Sequence, residues 1–98
     1  MYKVVYLVEV ENDIIVAKQW YAQQQNNLDV RFSAALEATL LNILEMPFMY
    51  AIKYRNIRIA KTKTFPYNIH FRINEAKKQV AIIGIVHNKR NNALFLDR

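Results

Sequence analysis

Residues 79–92 read QVAIIGIVHNKRNN, and the fold turns on them. From Val80 to His87 no residue carries a formal charge, and most are β-branched. A strand that is apolar on both faces has neighbours on both sides, so this run predicts the central strand of a sheet. Gly84, the only glycine of the chain, lies in its middle, where a bulge or a close backbone approach is expected. The chain then passes at once into His87, Asn88, Lys89 and Arg90. The buried strand therefore delivers an imidazole, an ammonium and a guanidinium to a rim.

Upstream, TFPYNIHFRIN (64–74) alternates with period two. Tyr67, Ile69, Phe71 and Ile73 share one face; Asn68, His70 and Arg72 share the other. NEAKK (74–78) supplies the turn between the two strands. NIRIAKTK (56–63) alternates Ile57 and Ile59 against Arg58 and Ala60, and carries Lys61 and Lys63 on the isoleucine side unless a bulge intervenes. MPFMYAIKYRN (46–56) reads as a loop entering the sheet. Before it, Phe32, Ala35/Leu36, Thr39/Leu40 and Ile43/Leu44 form a helical stripe over 28–45, stopped by Pro47. Ile14, Ala17 and Tyr21 mark an earlier helix over about 9–25, with Asn26 or Asn27 as cap of the second. YKVVYLV (2–8) reads as a first strand. The expected fold is α+β: an N-terminal strand, an antiparallel helical hairpin, then a three-stranded antiparallel meander completing a four-stranded sheet with helices on one face. Residues 1–98 form one domain in this reading, and the second face of the sheet is left uncovered.

The 98 residues are 53% hydrophobic and 22% charged, a globular balance. There is no cysteine, hence no disulfide and no thiolate metal site, and two histidines make a poor zinc site. No metal and no cofactor are expected. No apolar run approaches the ~20 residues of a membrane span, and the apolar N-terminal run is too short for a signal peptide. A cytoplasmic protein without membrane contact is the expectation. Net charge is +6, which attracts nucleic acid or an acidic protein, or serves solubility alone. Residues 53–63 hold five cations and no acid, whereas residues 9–13 hold three acids and no cation.

The candidate target-binding set is Arg58, Lys61, Lys63, Arg72, His87, Lys89 and Arg90. Fixed cations on strands suit phosphate recognition, because their geometry costs no loop entropy. Tyr67 and Phe71 either stack on a single strand or pack in the core. His87 is the first candidate for a base, with His70 second, since imidazole titrates near neutrality. Lys61 and Arg90 would stabilise charge if the protein were a ribonuclease. There is no glycine-rich phosphate loop, no GxSxG, no HExxH and no carboxylate pair placed for hydrolysis. Residue types alone thus support a basic polyanion binder or a metal-free ribonuclease.

IRIAKTKTFPYNIHFRIN (57–74) followed by QVAIIGIVHNKRN (79–91) resembles the C-terminal half of the RelE/ParE toxins of type II toxin–antitoxin systems. The features are the basic strand, the opening Phe65-Pro66-Tyr67, and the ending His-x-x-Arg from His87 to Arg90. The order of elements resembles the family throughout, with the aromatic pair Trp20–Tyr21 in the first helix. The resemblance implies a small bacterial toxin of the plasmid-stabilising kind, held inactive by a cognate antitoxin. RelE-type members cleave mRNA on the ribosome; ParE-type members poison DNA gyrase. Lys61 fits a RelE-like site, but Asn68 stands where that site has arginine, and the tail offers Phe95 in place of a tyrosine. The wording is more ParE-like, so gyrase inhibition is expected ahead of mRNA cleavage. A degenerate member that only binds its antitoxin is the third reading. Leu94, Phe95 and Leu96, with the uncovered sheet face, are the expected antitoxin surface. Without antitoxin, self-association is expected.

Overall fold

The computed structural model describes residues 1–89. Arg90, Leu94, Phe95 and Leu96 lie outside the described residues. The elements are β1 (Lys3–Tyr6), α1 (Val8–Gln24), α2 (Leu28–Glu45), β2 (Ile52–Tyr54), β3 (Ile57–Lys61), β4 (Tyr67–Asn74) and β5 (Gln79–His87), with a single 3-10 turn at Pro47–Met49. The sheet has five strands in the order β1-β5-β4-β3-β2. β5 is interior, parallel to β1 and antiparallel to β4, as its two apolar faces demand.

The fifth strand corrects the four-stranded expectation. Residues 52–54 pair with β3 through Ile52↔Arg58 and Tyr54↔Ile57, with an irregularity between the two pairs. Three residues show no period, so nothing in the local pattern separates them from a loop. The meander neighbour recruits them.

α1 and α2 pack as a hairpin on one face of the sheet. Val10, Ala17, Tyr21, Phe32, Leu36 and Ile43 meet Ile69, Phe71, Val80, Ile82 and Ile85 in a single core. The connection is tight because Asn27 takes the left-handed conformation at φ 67°, which asparagine tolerates. Asn27 holds the N-cap position, yet its side chain makes no capping hydrogen bond; the backbone turn replaces the expected cap. No helix among the described residues is long and apolar enough to cross a membrane.

β5 carries the bulge. Phe71 pairs with Ile82 and His70 with Gly84, so Ile83 is the extra residue of β5 in this register. The side-chain period is two, so the extra residue changes which side the rest of β5 presents. Before the bulge Val80 and Ile82 face the helices; after it Ile85 and His87 take that side, opposite Ile69 and Tyr67. The Ile85 amide just beyond the bulge donates to Asp13 Oδ2 of α1 at 3.3 Å. Gly84 has no positive φ, so its role is steric: it places no side chain against His70. Gly84→Val is expected to destabilise by about 1–3 kcal/mol through overpacking. Urea unfolding of the two proteins measures this, and an unchanged midpoint would count against the assignment.

The second sheet face is not open in its middle, contrary to expectation. Ile57, Ile83 and Val86 are buried there with Leu7, Tyr54 and Ala81 packed against them. His70 lies on the same face and is 1% exposed. The bulge adds Ile83 to this side, and Tyr54 of β2 reaches across β3 to hydrogen-bond His70 Nδ1 at 2.9 Å.

Candidate functional site

The site is the end of the sheet where β3 stops, β4 starts and β5 stops. Its base is an aromatic cluster that the helical hairpin and the Phe65-Pro66-Tyr67 segment build together. Phe32 of α2 lies 4.9 Å from Tyr21, 5.3 Å from Phe65 and 5.1 Å from Tyr67 between ring centroids. Tyr21 meets Phe65 edge-on at 5.0 Å. Tyr67 and Phe71 are therefore core aromatics, Phe71 wholly buried, and neither is a free stacking platform.

The loop between β3 and β4 is held from within. Buried Thr62 donates its amide to the Tyr67 carbonyl at 2.9 Å, and its hydroxyl turns to the carbonyls of Phe65 and Tyr67. The Asn88 amide donates to the Pro66 carbonyl at 2.8 Å, which pins the end of β5 to the start of β4. Thr64 sits at φ 78°, a conformation that costs a β-branched residue about 1–2 kcal/mol. Such strain persists only where the surroundings over-determine it, and it collects at functional loops. Sequence reading missed both threonines, because neither the Thr62 hydroxyl contacts nor the Thr64 backbone turn has a spacing signature.

On this frame stand Lys61, Lys63 and Lys89, all exposed. Lys61 pairs with Asn68 and so points away from the helices, with Ile57 and Ile59. Lys63 follows in the loop, and Lys89 follows β5. None of the three forms an ion pair with a described carboxylate. His87 pairs with Tyr67 and meets its ring edge-on at 5.3 Å. The Lys89 amide donates to His87 Nδ1 at 3.2 Å. That bond occupies the lone pair of neutral imidazole and leaves its hydrogen on Nε2.

Lys61, Lys63, His87 and Lys89 thus lie at one end of the sheet, Lys61 on the face away from the helices and His87 on the helix-facing side. Two other candidates do not join them. Arg58 pairs with Phe71 on the helix-covered face, where its guanidinium lies 5.1 Å from the Phe48 ring centre. Arg72 pairs with Ala81, four residues along β4 from Asn68, or about 13 Å at strand rise. His70 is sealed in the second face. Its pKa falls from 6.5 to about 4 because burial disfavours the cation, so it is neutral at physiological pH. Among the described residues no group of three histidines or carboxylates is placed to hold a metal. Trp20, 54% exposed beside Tyr21 at 5.1 Å, borders the aromatic cluster.

A family model described as ParE toxin of type II toxin–antitoxin system, parDE, matches residues 4–92. Among solved structures, a chain of the chromosomal ParDE toxin–antitoxin system from P. aeruginosa is similar at TM-score 0.76 and 12% identity, covering 89% of this chain and 96% of that one. A chain of the intact E. coli RelBE toxin–antitoxin complex is similar at TM-score 0.60 and 16% identity, covering 92% and 100%. The isolated E. coli RelE toxin is similar at TM-score 0.60 and 12% identity, covering 96% and 92%. At these identities the likeness establishes the fold. No curated protein matches the chain.

Proposed function

The chain belongs to the ParE toxin family of type II toxin–antitoxin systems, and from that premise we propose that it arrests its host by binding DNA gyrase rather than by cutting RNA. The observation that carries this reading is the state of His87. Its Nδ1 accepts the Lys89 amide, which engages the first of the two candidate bases in holding the strand end, and the second, His70, is buried. Exposed ammonium groups stand on the same end of the sheet on a braced frame, and such groups recognise an acidic surface without needing to move protons. Family membership adds weight, because ParE-type members act on gyrase.

The partner that silences the toxin is an antitoxin in this reading. The solved structures similar to this chain include two toxin–antitoxin assemblies. Val8, Ile15, Val16 and Trp20 are exposed together on the outward side of α1. Between residues 14 and 28 Lys18 is the only charge. That face suits an apolar helix of the antitoxin laid along it.

The test is induced expression in a bacterial host beside a Lys89→Ala/Arg90→Ala variant. Two readouts follow arrest: gyrase-linked DNA breaks with the SOS response, and mapping of new mRNA 5′ ends. Breaks with intact mRNA, lost in the double variant, are the expected result. In-frame cleavage in ribosomal A sites would overturn the proposal in favour of RNA cleavage. Absence of arrest would overturn it in favour of a chain that only binds its antitoxin.

A further inference from the structure

The face of the sheet turned away from the helices carries a buried stripe. Val86 at 4% exposure, Ile83 at 1%, His70 at 1% and Ile57 at 5% lie along it. Both helices bury their apolar residues on the other face. Leu7, Tyr54 and Ala81, packed beside the stripe, belong to the sheet or its margin. A sheet side chain with neighbours only in its own layer keeps its outward side open. Val5 does so: it pairs with Ala81 on this same face and is 40% exposed. Among the described residues no helix or second sheet lies over the stripe.

The stripe has a direction. It starts at Val86, one residue before β5 ends, crosses His70 of β4 and finishes at Ile57 of β3, beside the β2–β3 turn. The chain leaves β5 next to that starting point. Asn88 and Lys89 form a turn, and the Pro66 carbonyl holds the Asn88 amide at 2.8 Å. Residues 90–98 follow, with Ala93, Leu94, Phe95 and Leu96 apolar in a row. From Lys89 to Asp97 an extended chain reaches up to ~27 Å. The stripe spans about 13 Å along the strands and about 10 Å across them, well within that reach. Asp97 is the only acid after Glu75, and the turn at the far end of the stripe carries Arg55.

We propose that residues 90–98 fold back over the second face of the sheet, seating Leu94, Phe95 and Leu96 on the stripe from Val86 to Ile57 and bringing Asp97 to the Arg55 turn. The tail is then a cover built into the chain, and it seals His70 from water. Leu94, Phe95 and Leu96 are engaged within the chain rather than offered to an antitoxin. A nucleic acid is the wrong occupant, because phosphates gain nothing from isoleucine and valine. The inference rests on packing and holds whichever target the cations meet.

The test is NMR of the full chain in two arms. The first places a nitroxide on Arg98→Cys, the only thiol of that chain. The expected broadening is strongest at the amides of residues 54–57 and weakest on α1. The second compares the parent with Leu94→Ser/Phe95→Ser in the presence of a soluble gadolinium chelate. Relaxation of the Ile57, Ile83 and Val86 methyls should rise several-fold in the variant, while Ile43 and Ile82 on the helix side stay unchanged. Those two controls report an intact fold, and the nitroxide arm decides alone if the variant unfolds. Broadening centred on α1, broadening passed only between separate copies of the chain, or equal relaxation of the stripe methyls in both folded proteins would each overturn the proposal.

Discussion

Phe32→Ala is expected to remove about 3–5 kcal/mol of stability, the usual cost of deleting a buried ring and leaving its cavity. Phe32 is 0% exposed and touches three other rings from two layers of the fold. Tyr21 comes from α1, Phe65 from the loop after β3, and Tyr67 from β4. The helices cannot close over the void without moving that loop, so relaxation recovers little. A domain of this size has about 5–15 kcal/mol in total, so the variant approaches the unfolding threshold. Phe32→Leu, which keeps most of the volume, should cost less than about 1.5 kcal/mol. Urea midpoints at constant slope measure both. If alanine costs no more than leucine, the cluster does not pack as described. Loss of toxicity in the alanine variant at temperatures where the leucine variant is active is the functional counterpart, because Phe65 and Tyr67 frame the loop bearing Lys63.

Acidification is expected to cost the protein about 3 kcal/mol through His70 alone. In the unfolded chain this histidine takes up a proton near pH 6.5; in the fold it resists until about 4, because its charge would be buried. Between those values the unfolded state binds more protons, so stability falls as pH is lowered from 6.5 and levels off below 4. Tyr54 keeps its phenolic proton, since burial raises its pKa, and its hydroxyl shares a hydrogen bond with Nδ1 at 2.9 Å. His70→Asn keeps a polar group near the Nδ1 position and removes the titration. Its stability curve should be flatter by about 3 kcal/mol between pH 6.5 and 4. Parallel curves for the two proteins would exclude His70 as the source of acid sensitivity.

Much of this architecture is legible along the chain. The stripe from Phe32 to Leu44, the stop at Pro47, the period-two run from Tyr67 to Ile73 and the two-faced strand 79–87 each repeat over enough residues to declare their structure. The cations near the ends of β3 and β5 are equally visible, as is Gly84 as the place for a bulge. What stayed hidden has a common cause. β2 is three residues long, so it has no period to read. The capping of α2 rests on the backbone twist at Asn27, and the hydroxyls of Thr62 act on carbonyls a few residues on.

The sequence by itself determined both helices and every strand but β2, that β5 is central, and that the second half of the chain is basic, because periodicity and charge are properties of neighbouring residues. Only the tertiary structure decided where the side chains go. The extra residue at Ile83 turns the rest of β5 over, placing His87 beside Tyr67 and Val86 on the far face. The β3 register sends Arg58 under the helices and Lys61 away from them. Arg72 keeps its alternation yet lies too far along β4 to join the cluster. A strand pattern is read in steps of two, and a single inserted residue or shifted pair exchanges its faces, so the site is settled by how strands pair and not by what each strand contains.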